Sequence, residues 1–435
     1  ARAVALALRL ELDAAALILE PLAATSDLAR AFGATLIAPR SRRATRARVD
    51  GDASDAWLDT IDPELAAMLA ALGTAMTVRD DASRNEARCR RVLEAYEPRL
   101  APSTVVTVKM GGVASGMIAG SVSTSAAMSQ IQQLRDADRE LASPFTGLVR
   151  GMLQGLVAFR ADEHLAREQL ERASRIAAET GATLLETRAM VAWGGMLVEI
   201  PERVEHGLGV LERATTLLAH GDAPSLEHVA EHNRGASLVI QGRFSEAAPH
   251  LRRARNAAKG ELSLEHEILS CMNEGLSHVS LGDRESCARI VDELSDARIA
   301  QCSARSAAYC HIVRSMAAML FETPDRARAE LRRAHVRAAE ADAEGADAYL
   351  LAEALGILYA SARHEQIDLL ARAGELQKIA HDRGIVSFYW FDVLRAMVRH
   401  VRDADVRATV GETLERLIVL LGPAQLAREA SAALR

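Results

Sequence analysis

Apolar residues along this chain recur at the spacing of an α-helix, and the helical segments follow one another in pairs. Leu165, Ala166, Leu170 and Ala173 share one face of such a segment, whereas Glu and Arg at spacings of three and four occupy the other. Several of the turns between segments hold glycine, the residue that most readily takes the left-handed conformation that ends a helix. These glycines are Gly181, Gly221, Gly242 and Gly260. The pattern predicts antiparallel helix pairs from about residue 144 to residue 421.

The helix pairs repeat with a period of about forty residues. A four-residue segment that opens with a large apolar residue returns at steps of 41, 40, 40, 40 and 39. Its lead residues are Leu170, Leu211, Leu251, Val291, Leu331 and Leu370. Such a period is typical of a stacked helical array, in which each unit buries its apolar face against its neighbours. We expect an all-α, right-handed α-solenoid whose hairpins stack in single file, without a central core that closes around them.

One junction between helices carries a family resemblance. The segment from Gly242 to Ala248 resembles the turn and second helix of a tetratricopeptide repeat, with a glycine, then an aromatic residue, then Glu and two alanines. The segment from Gly282 to Ala288 is a weaker copy without the aromatic residue. The period here is near 40, whereas that of tetratricopeptide repeats is about 34. Lengthened repeats of this kind, over roughly residues 85–421, look like those in the sensor arm of MalT-type regulators.

MalT-type regulators are large signal-transduction ATPases that often end in a LuxR-type DNA-binding domain. The resemblance implies a non-catalytic regulatory module of a bacterial transcription regulator. The first helices of the pairs (A helices) would form a concave wall that recognises a small-molecule inducer or a protein partner. A stand-alone protein-interaction adaptor is the alternative. The chain begins at Ala1 rather than Met, which we interpret as the start of a fragment of a longer protein.

The repeat pattern weakens toward the beginning of the chain, which suggests three regions. Residues 1–80 are expected to form a helical N-terminal segment with an Arg-rich loop, residues 81–143 irregular helical repeats, and residues 144–435 the regular array. The loop carries Arg40, Arg42, Arg43, Arg46 and Arg48. These arginines either contact phosphate or lie in a solvated linker, and the second interpretation is favoured because no aromatic residues lie between them for stacking on bases.

Composition narrows the function further. Aromatic residues are only 3 % of the chain, so Ala, Leu, Val and Ile must build its core. The net charge of −7 argues against a chain devoted to nucleic acid. The five cysteines form no C-x-x-C pair, which indicates a reduced, cytoplasmic protein. We find no secretory signal and no confident membrane span, and we expect neither cofactor nor membrane partner.

One motif resembles a catalytic site. His228, Glu231 and His232 form the H-x-x-E-H arrangement of inverted zinc peptidases, in which two histidines bind the metal and the glutamate activates water. No residue stands out as a third ligand, and the histidines of a repeat helix can simply face solvent. The chain also lacks a P-loop and a G-x-S-x-G elbow. We therefore expect no enzyme and no metal site, and keep a zinc hydrolase as a remote alternative.

Aromatic residues supply the candidates for binding. Four of them are adjacent at residues 388–391, and Tyr389, Trp390 and Phe391 are predicted to contact a ligand or subunit. The alternative is that they fill the last hydrophobic gap of the array. Trp193, on another A helix, is predicted to line the concave surface.

Glycines spaced by four form two further patterns: Gly112, Gly116 and Gly120, then Gly147, Gly151 and Gly155. Spacing by four places small residues on one face of a helix. They form either a groove floor or hinge, or a site where two helices cross closely; the second is favoured.

Overall fold

The fold is known from a computed structural model. It describes residues 63–75, 82–137, 144–159, 161–219, 223–259, 264–341, 345–382 and 390–422, with 427, 430–432 and 434. The arginine run at 40–48, most of the helical N-terminal segment expected at residues 1–80, and Tyr389 lie outside these residues. The chain divides into two compact units, Ala1–Ala230 and Glu231–Arg435, and each is described by itself.

Unit 1 consists of helices in its described residues, beginning with α1 (Pro63–Ala75), α2 (Ala82–Tyr96), α3 (Pro102–Ala119), α4 (Thr124–Ala137), α5 (Pro144–Ala158), α6 (Glu163–Glu179), α7 (Thr183–Leu197) and α8 (Val204–Leu218). Each of the later pairs packs as a hairpin, α5 on α6 and α7 on α8. The core they share is built mainly from Ala, Leu, Val and Met, as the composition predicts. The boundary between the units falls inside the next helix, α9 (Pro224–Ile240).

Unit 2 continues with α10 (Phe244–Ala258), α11 (Leu264–Leu281), α12 (Arg284–Glu293), α13 (Asp296–Ile299), α14 (Ala304–Phe321), α15 (Pro324–Glu340), α16 (Ala346–Ala362), α17 (Leu369–Asp382), α18 (Trp390–Val398) and α19 (Ala404–Leu421). Consecutive helices again pack as hairpins, including α11 on α12 and α14 on α15. The described residues contain no strand. The predicted all-α architecture of antiparallel helix pairs is confirmed.

Local chemistry explains where the helices begin and end. Asp162 and Asp283 precede α6 and α12, and each carboxylate accepts a hydrogen bond from a backbone N–H in the first turn, at 2.9 and 3.1 Å. Gly181 and Gly242 have positive φ angles of 69° and 71° in the turns that follow α6 and α9. Since only glycine takes this conformation without strain, both turns are fixed by the sequence as predicted. Gly221 and Gly260 lie outside the described residues.

A glycine in the first helix of a hairpin lies against the lead leucine of the second. A Cβ atom added to Gly155, Gly194 or Gly235 would lie 2.4–2.7 Å from the leucine's Cγ. The corresponding leucines are Leu170, Leu211 and Leu251, all fully buried. The missing side chain therefore lets the two helices cross closely. Glycine and leucine together form the contact that repeats with the period.

The glycine patterns noted in the sequence divide between several roles. Gly155 crosses closely against Leu170, and Gly151 lies near the backbone of α6. Gly120 has a φ of 84° and ends α3. Gly147 has no other atom within 4 Å of its added Cβ. The close-crossing interpretation therefore holds for part of the second pattern only.

Two expectations about the array are corrected. Leu370, predicted to lead a buried repeat segment, is 71 % exposed, because α17 begins at Leu369 and that residue takes the buried position instead. Single-file stacking also fails at one place in unit 2. Helix α18 packs against α11, and the ring Nε2 of His400 lies 3.2 Å from the carbonyl oxygen of Ser280, 120 residues earlier.

The return of α18 closes a ring of helices in unit 2. The helices α11, α14, α16, α19 and α18 each contact the next, and α18 contacts α11. Helices α11, α14 and α16 are buried over most of their length, since their sequences lack a continuous polar face. The first helices of these pairs therefore contribute most of the buried residues of this part of unit 2.

Candidate functional site

Carboxylates that are buried or half-buried join the two helices of several hairpins. Arginine at the third position of the repeat segment reaches a glutamate on a neighbouring helix: Arg213 to Glu186 at 3.4 Å, Arg253 to Glu231 at 3.2 Å and Arg372 to Glu353 at 2.8 Å. We call these ion pairs carboxylate clamps. A buried carboxylate is tolerated only with a charged partner, so the clamps select one arrangement of the two helices.

One carboxylate clamp includes Glu231, the acidic residue of the H-x-x-E-H motif. The Glu231 carboxylate accepts a hydrogen bond from His250 at 2.6 Å as well as from Arg253. Burial acts to raise the pKa of Glu231, but the hydrogen bonds from His250 and Arg253 hold it below its usual value. A general base that activates water needs a free lone pair and a raised pKa. The surroundings of Glu231 lower its pKa instead of raising it.

The two histidines of the motif lie on α9 with Glu231. His228 is buried, and the Nδ1 atom of His232 lies 3.0 Å from the hydroxyl of Ser270. Burial lowers the pKa of His232 to about 4, with a further contribution from the charge of His266. Within the described part of the chain, no three His, Cys, Asp or Glu side chains are arranged to hold a metal ion.

The predicted aromatic contacts fall into different environments. Trp193 on α7 is partly exposed and packs edge-on against the ring of His206, with centroids 5.5 Å apart. Its indole N–H is buried, and no described residue accepts a hydrogen bond from it. Trp390 and Phe391 are fully buried at the beginning of α18, with ring centroids 4.3 Å apart. In this structure these two residues anchor a helix of the chain itself.

An open groove lies in unit 1 between α2, α3 and α4. We call it the α3 groove. Its volume is about 610 Å³, within the range of roughly 300–1,000 Å³ that ligand sites occupy. Its apolar lining comes from Cys89, Leu93, Val113, Val122 and Leu134. Gly112, from the first glycine pattern, also lines it, which agrees with the groove-floor interpretation for this one residue.

Charged and amide side chains surround the apolar part of the α3 groove. Lys109 and Glu97 form an ion pair at 2.6 Å, and the Ser121 hydroxyl donates to Glu86 at 2.9 Å. Glu94 and Gln133 add polar groups on α2 and α4. An apolar surface with a polar rim is the usual composition of a site that binds a peptide or small molecule. The groove holds no arrangement of nucleophile and base.

The sequence contains signals for features that we did not derive from it. Gly155, Gly194, Gly235 and Gly275 are spaced by 39, 41 and 40 residues, the same period as the lead residues. Aligning the chain on this small residue would have predicted the close crossings at Gly155, Gly194 and Gly235. Each carboxylate clamp also has a sequence signal. This signal is an arginine at the third position of the repeat segment, with a glutamate 19 to 27 residues earlier in the chain. The α3 groove leaves no comparable signal.

Comparison with known proteins provides little further information. No family model matches the chain, and no curated protein matches it. Among solved structures, the apo form of the quorum sensor NprR from B. thuringiensis matches with a TM-score of 0.46 and 13 % identity. The match covers 78 % of this chain and 89 % of that one. Similarity at this level assigns neither a family nor a function.

Proposed function

We propose that the chain is a non-catalytic binding module, in which the α3 groove holds an apolar stretch of a partner protein. The observation that carries this proposal is the accessible apolar surface formed by Leu93, Val113 and Leu134. Burial of apolar area stabilises a complex by about 25 cal/mol per Å² before the entropic cost of association. The polar rim then orients the partner.

The regulatory context is part of the same proposal. The resemblance of the repeats to the sensor arm of MalT-type regulators supports a sensor region of a larger bacterial signalling protein. The five cysteines are free thiols, which supports a reduced, cytoplasmic environment. In the described residues, no helix is long and apolar enough to cross a bilayer. Recognition of a small-molecule inducer in place of a protein is the alternative form of this proposal.

The predicted partner contacts at Trp193, Tyr389, Trp390 and Phe391 also remain proposals. Among them, Trp193 has the side chain that is both described and partly exposed. It is therefore our preferred second contact. Trp390 and Phe391 contact a partner only if α18 leaves α11.

Site-specific photocrosslinking tests the proposed groove. The full chain is produced in its source cells with a photoreactive benzoylphenylalanine at position 113, and in parallel at position 171. Glu171 is exposed on α6 of the same unit and serves as the control position. We expect a partner that is captured from position 113 only, and that binds the purified chain about tenfold more weakly after Val113→Ser. Identical capture from both positions would disprove the groove assignment.

Metal analysis tests the non-catalytic part of the proposal. We expect the purified chain to contain less than stoichiometric zinc, because Glu231 is held by a clamp. Stoichiometric zinc that is lost in a His232→Ala variant would instead establish the zinc-site alternative.

A further inference from the structure

A second cleft lies in unit 2, beside the C-terminal half of α15. We call it the α15 cleft. Its volume is about 580 Å³. One wall comes from α13 and its end, with Asp296, Ile299 and Ala300, and the other from α15. The α15 cleft lies in unit 2, whereas the α3 groove lies in unit 1 and is formed by other residues. The two sites can therefore be tested independently.

The array is interrupted at the wall of the cleft that α13 forms. Helix α12 has 10 residues, whereas α10 and α15, which hold the same place in neighbouring hairpins, have 15 and 17. The chain leaves the helix at Leu294 and re-forms a single turn at α13. At the cleft, Val336 of α15 is 58 % exposed.

The charge of the α15 cleft is strongly asymmetric. Three arginines of α15 line it, Arg332, Arg333 and Arg337, against the single carboxylate of Asp296. That carboxylate is already bound by Arg314, and it lies 3.6 Å from Arg333. Arg332 forms no hydrogen bond or ion pair with any residue in the described part of the chain. The cleft therefore has unsatisfied positive charge.

The remaining charged groups around the cleft are bound to one another. The buried Glu330 carboxylate lies 2.8 Å from His311, 2.8 Å from Arg314 and 3.3 Å from Arg333, so its contacts are with these three residues rather than with Arg332. Arg337 pairs with Glu340 at 2.8 Å on the exposed side of α15. An exposed pair of this kind exchanges partners at little cost. Both Arg332 and Arg337 are consequently available to an anionic ligand.

The arginines alternate with apolar side chains along one face of α15. Arg332 and Val336 are four residues apart, as are Arg333 and Arg337, so they form two adjacent rows. Guanidinium groups bind carboxylates through two parallel hydrogen bonds, and Val336 with Ile299 offers an apolar contact between them. We propose that the α15 cleft binds an acidic peptide segment that carries apolar side chains between its carboxylates. A compact phosphate would leave the apolar surface uncovered.

Fluorescence anisotropy with a defined probe tests this proposal on the full chain. The probe is a fluorescein-labelled peptide of twelve residues that repeats Glu-Leu-Glu-Ala, and the matched peptide has Gln in place of every Glu. We expect the acidic peptide to bind, the neutral peptide to bind at least about tenfold more weakly, and the affinity to fall with added salt. Equal binding of the two peptides, or no binding of the acidic one at millimolar concentration, would overturn the proposal.

Matched variants separate the cleft from general electrostatic attraction. Arg332→Glu reverses an exposed charge that has no described partner, and Arg172→Glu makes the same change on α6, where Arg172 is likewise exposed and unpaired among described residues. We expect Arg332→Glu to weaken peptide binding about tenfold and Arg172→Glu less than about twofold. Val336→Ala should weaken it about threefold through lost apolar contact.

Two further outcomes would contradict the cleft assignment. Equal weakening by the two Arg→Glu changes would show that the peptide responds only to net charge. Complete displacement by millimolar inorganic phosphate, at constant ionic strength, would assign the arginines to a phosphate group instead. Both variants should keep the circular dichroism and unfolding midpoint of the parent chain, since neither residue packs in the core.

Discussion

At the scale of single residues, Gly235 determines how closely α9 and α10 cross. A Cβ at this position would lie 2.4 Å from Cγ of Leu251 and 3.2 Å from its backbone nitrogen. Because the backbone atom cannot move away independently, Gly235→Ala is expected to destabilise the chain by about 1–3 kcal/mol through overpacking. Urea unfolding followed by circular dichroism measures this change.

The matched control for this prediction is Gly374, in the middle of α17. Its added Cβ would meet no atom within 4 Å, and the residue is exposed. Gly374→Ala is therefore expected to stabilise the chain by about 0.5–1 kcal/mol, because alanine has the higher helix propensity. If both substitutions changed the stability in the same direction, close crossing would not be the reason for a glycine at position 235.

His232 gives a second prediction at this scale, concerning pH. Burial lowers its pKa to about 4 in the folded chain, below the ordinary value of 6.5. The unfolded chain then binds more protons between these values, so the stability contributed by neutral His232 is present above about pH 6.5 and is lost as the pH falls toward 4.

The measurement compares the free energy of unfolding of the parent chain and of His232→Gln from pH 7.5 to pH 4.5. Glutamine keeps a polar group opposite Ser270 but does not titrate. We expect the variant to lose less stability over this interval, with a difference in slope of up to about 1.4 kcal/mol per pH unit. Equal slopes in the two proteins would contradict a lowered pKa at His232.

At the scale of helices, Arg255 connects three consecutive elements. From α10 its Nε donates to Glu274 of α11 at 2.9 Å, and its Nη1 donates to Glu293 of α12. Glu274 is 2 % exposed. Burial acts to raise the pKa of Glu274, yet His278 and Arg255 keep it low, so the carboxylate is charged and depends on these partners.

Removal of the Arg255 side chain should lower the free energy of unfolding. Arg255→Ala leaves a buried charge with fewer partners, and we expect a loss of about 3–5 kcal/mol in the free energy of unfolding. Arg416→Ala breaks an exposed pair with Glu412, 3.9 Å apart on α19, and should cost less than about 0.5 kcal/mol. Similar losses for the two variants, measured by chemical unfolding, would show that burial of Glu274 is not decisive.

The sequence predicts the helices far better than it predicts their long-range contacts. The turns at Gly181 and Gly242 follow from local backbone chemistry, and the buried lead leucines follow from the helical period. The register at Leu370 was wrong because one residue rotates a side chain by about 100° around a helix. The contact of α18 with α11 left no periodic signal, since it joins segments 120 residues apart.

The candidate binding residues and sites also divide into those that the sequence predicts and those that it does not. The cluster of aromatic residues predicted a binding site at Trp390 and Phe391. Clustering alone does not distinguish an aromatic side chain that binds a partner from one that is buried within the chain itself. The α3 groove and the α15 cleft are gaps between helices, lined by Gly112 in the first and by Asp296 of α13 in the second. Such gaps depend on helix lengths and crossing distances, which composition and periodicity do not determine.

At the scale of the whole molecule, unit 2 combines neighbour-to-neighbour stacking with one distant contact. Phe391 is fully buried at the beginning of α18, so Phe391→Ala should remove about 3–5 kcal/mol of stabilisation locally. Because α18 packs on α11, we expect faster backbone hydrogen exchange in both helices. Mass spectrometry after deuterium labelling resolves the two segments.

The control for this experiment is Leu370→Ala, on the exposed face of α17. It should leave exchange in α11 and α18 unchanged. Acceleration confined to α18 and α19 in Phe391→Ala would contradict the contact between α18 and α11.

The contact of His400 with the turn after α11 has a consequence for how this half of the chain could change in length. Open-ended arrays gain or lose modules by gene duplication, since a new module needs only two compatible neighbours. An insertion of forty residues between α11 and α18 would move the His400 imidazole away from the Ser280 carbonyl and break the contact between α18 and α11. We therefore expect related chains to differ in the number of helix pairs before α11 and to have the same number of helix pairs after it.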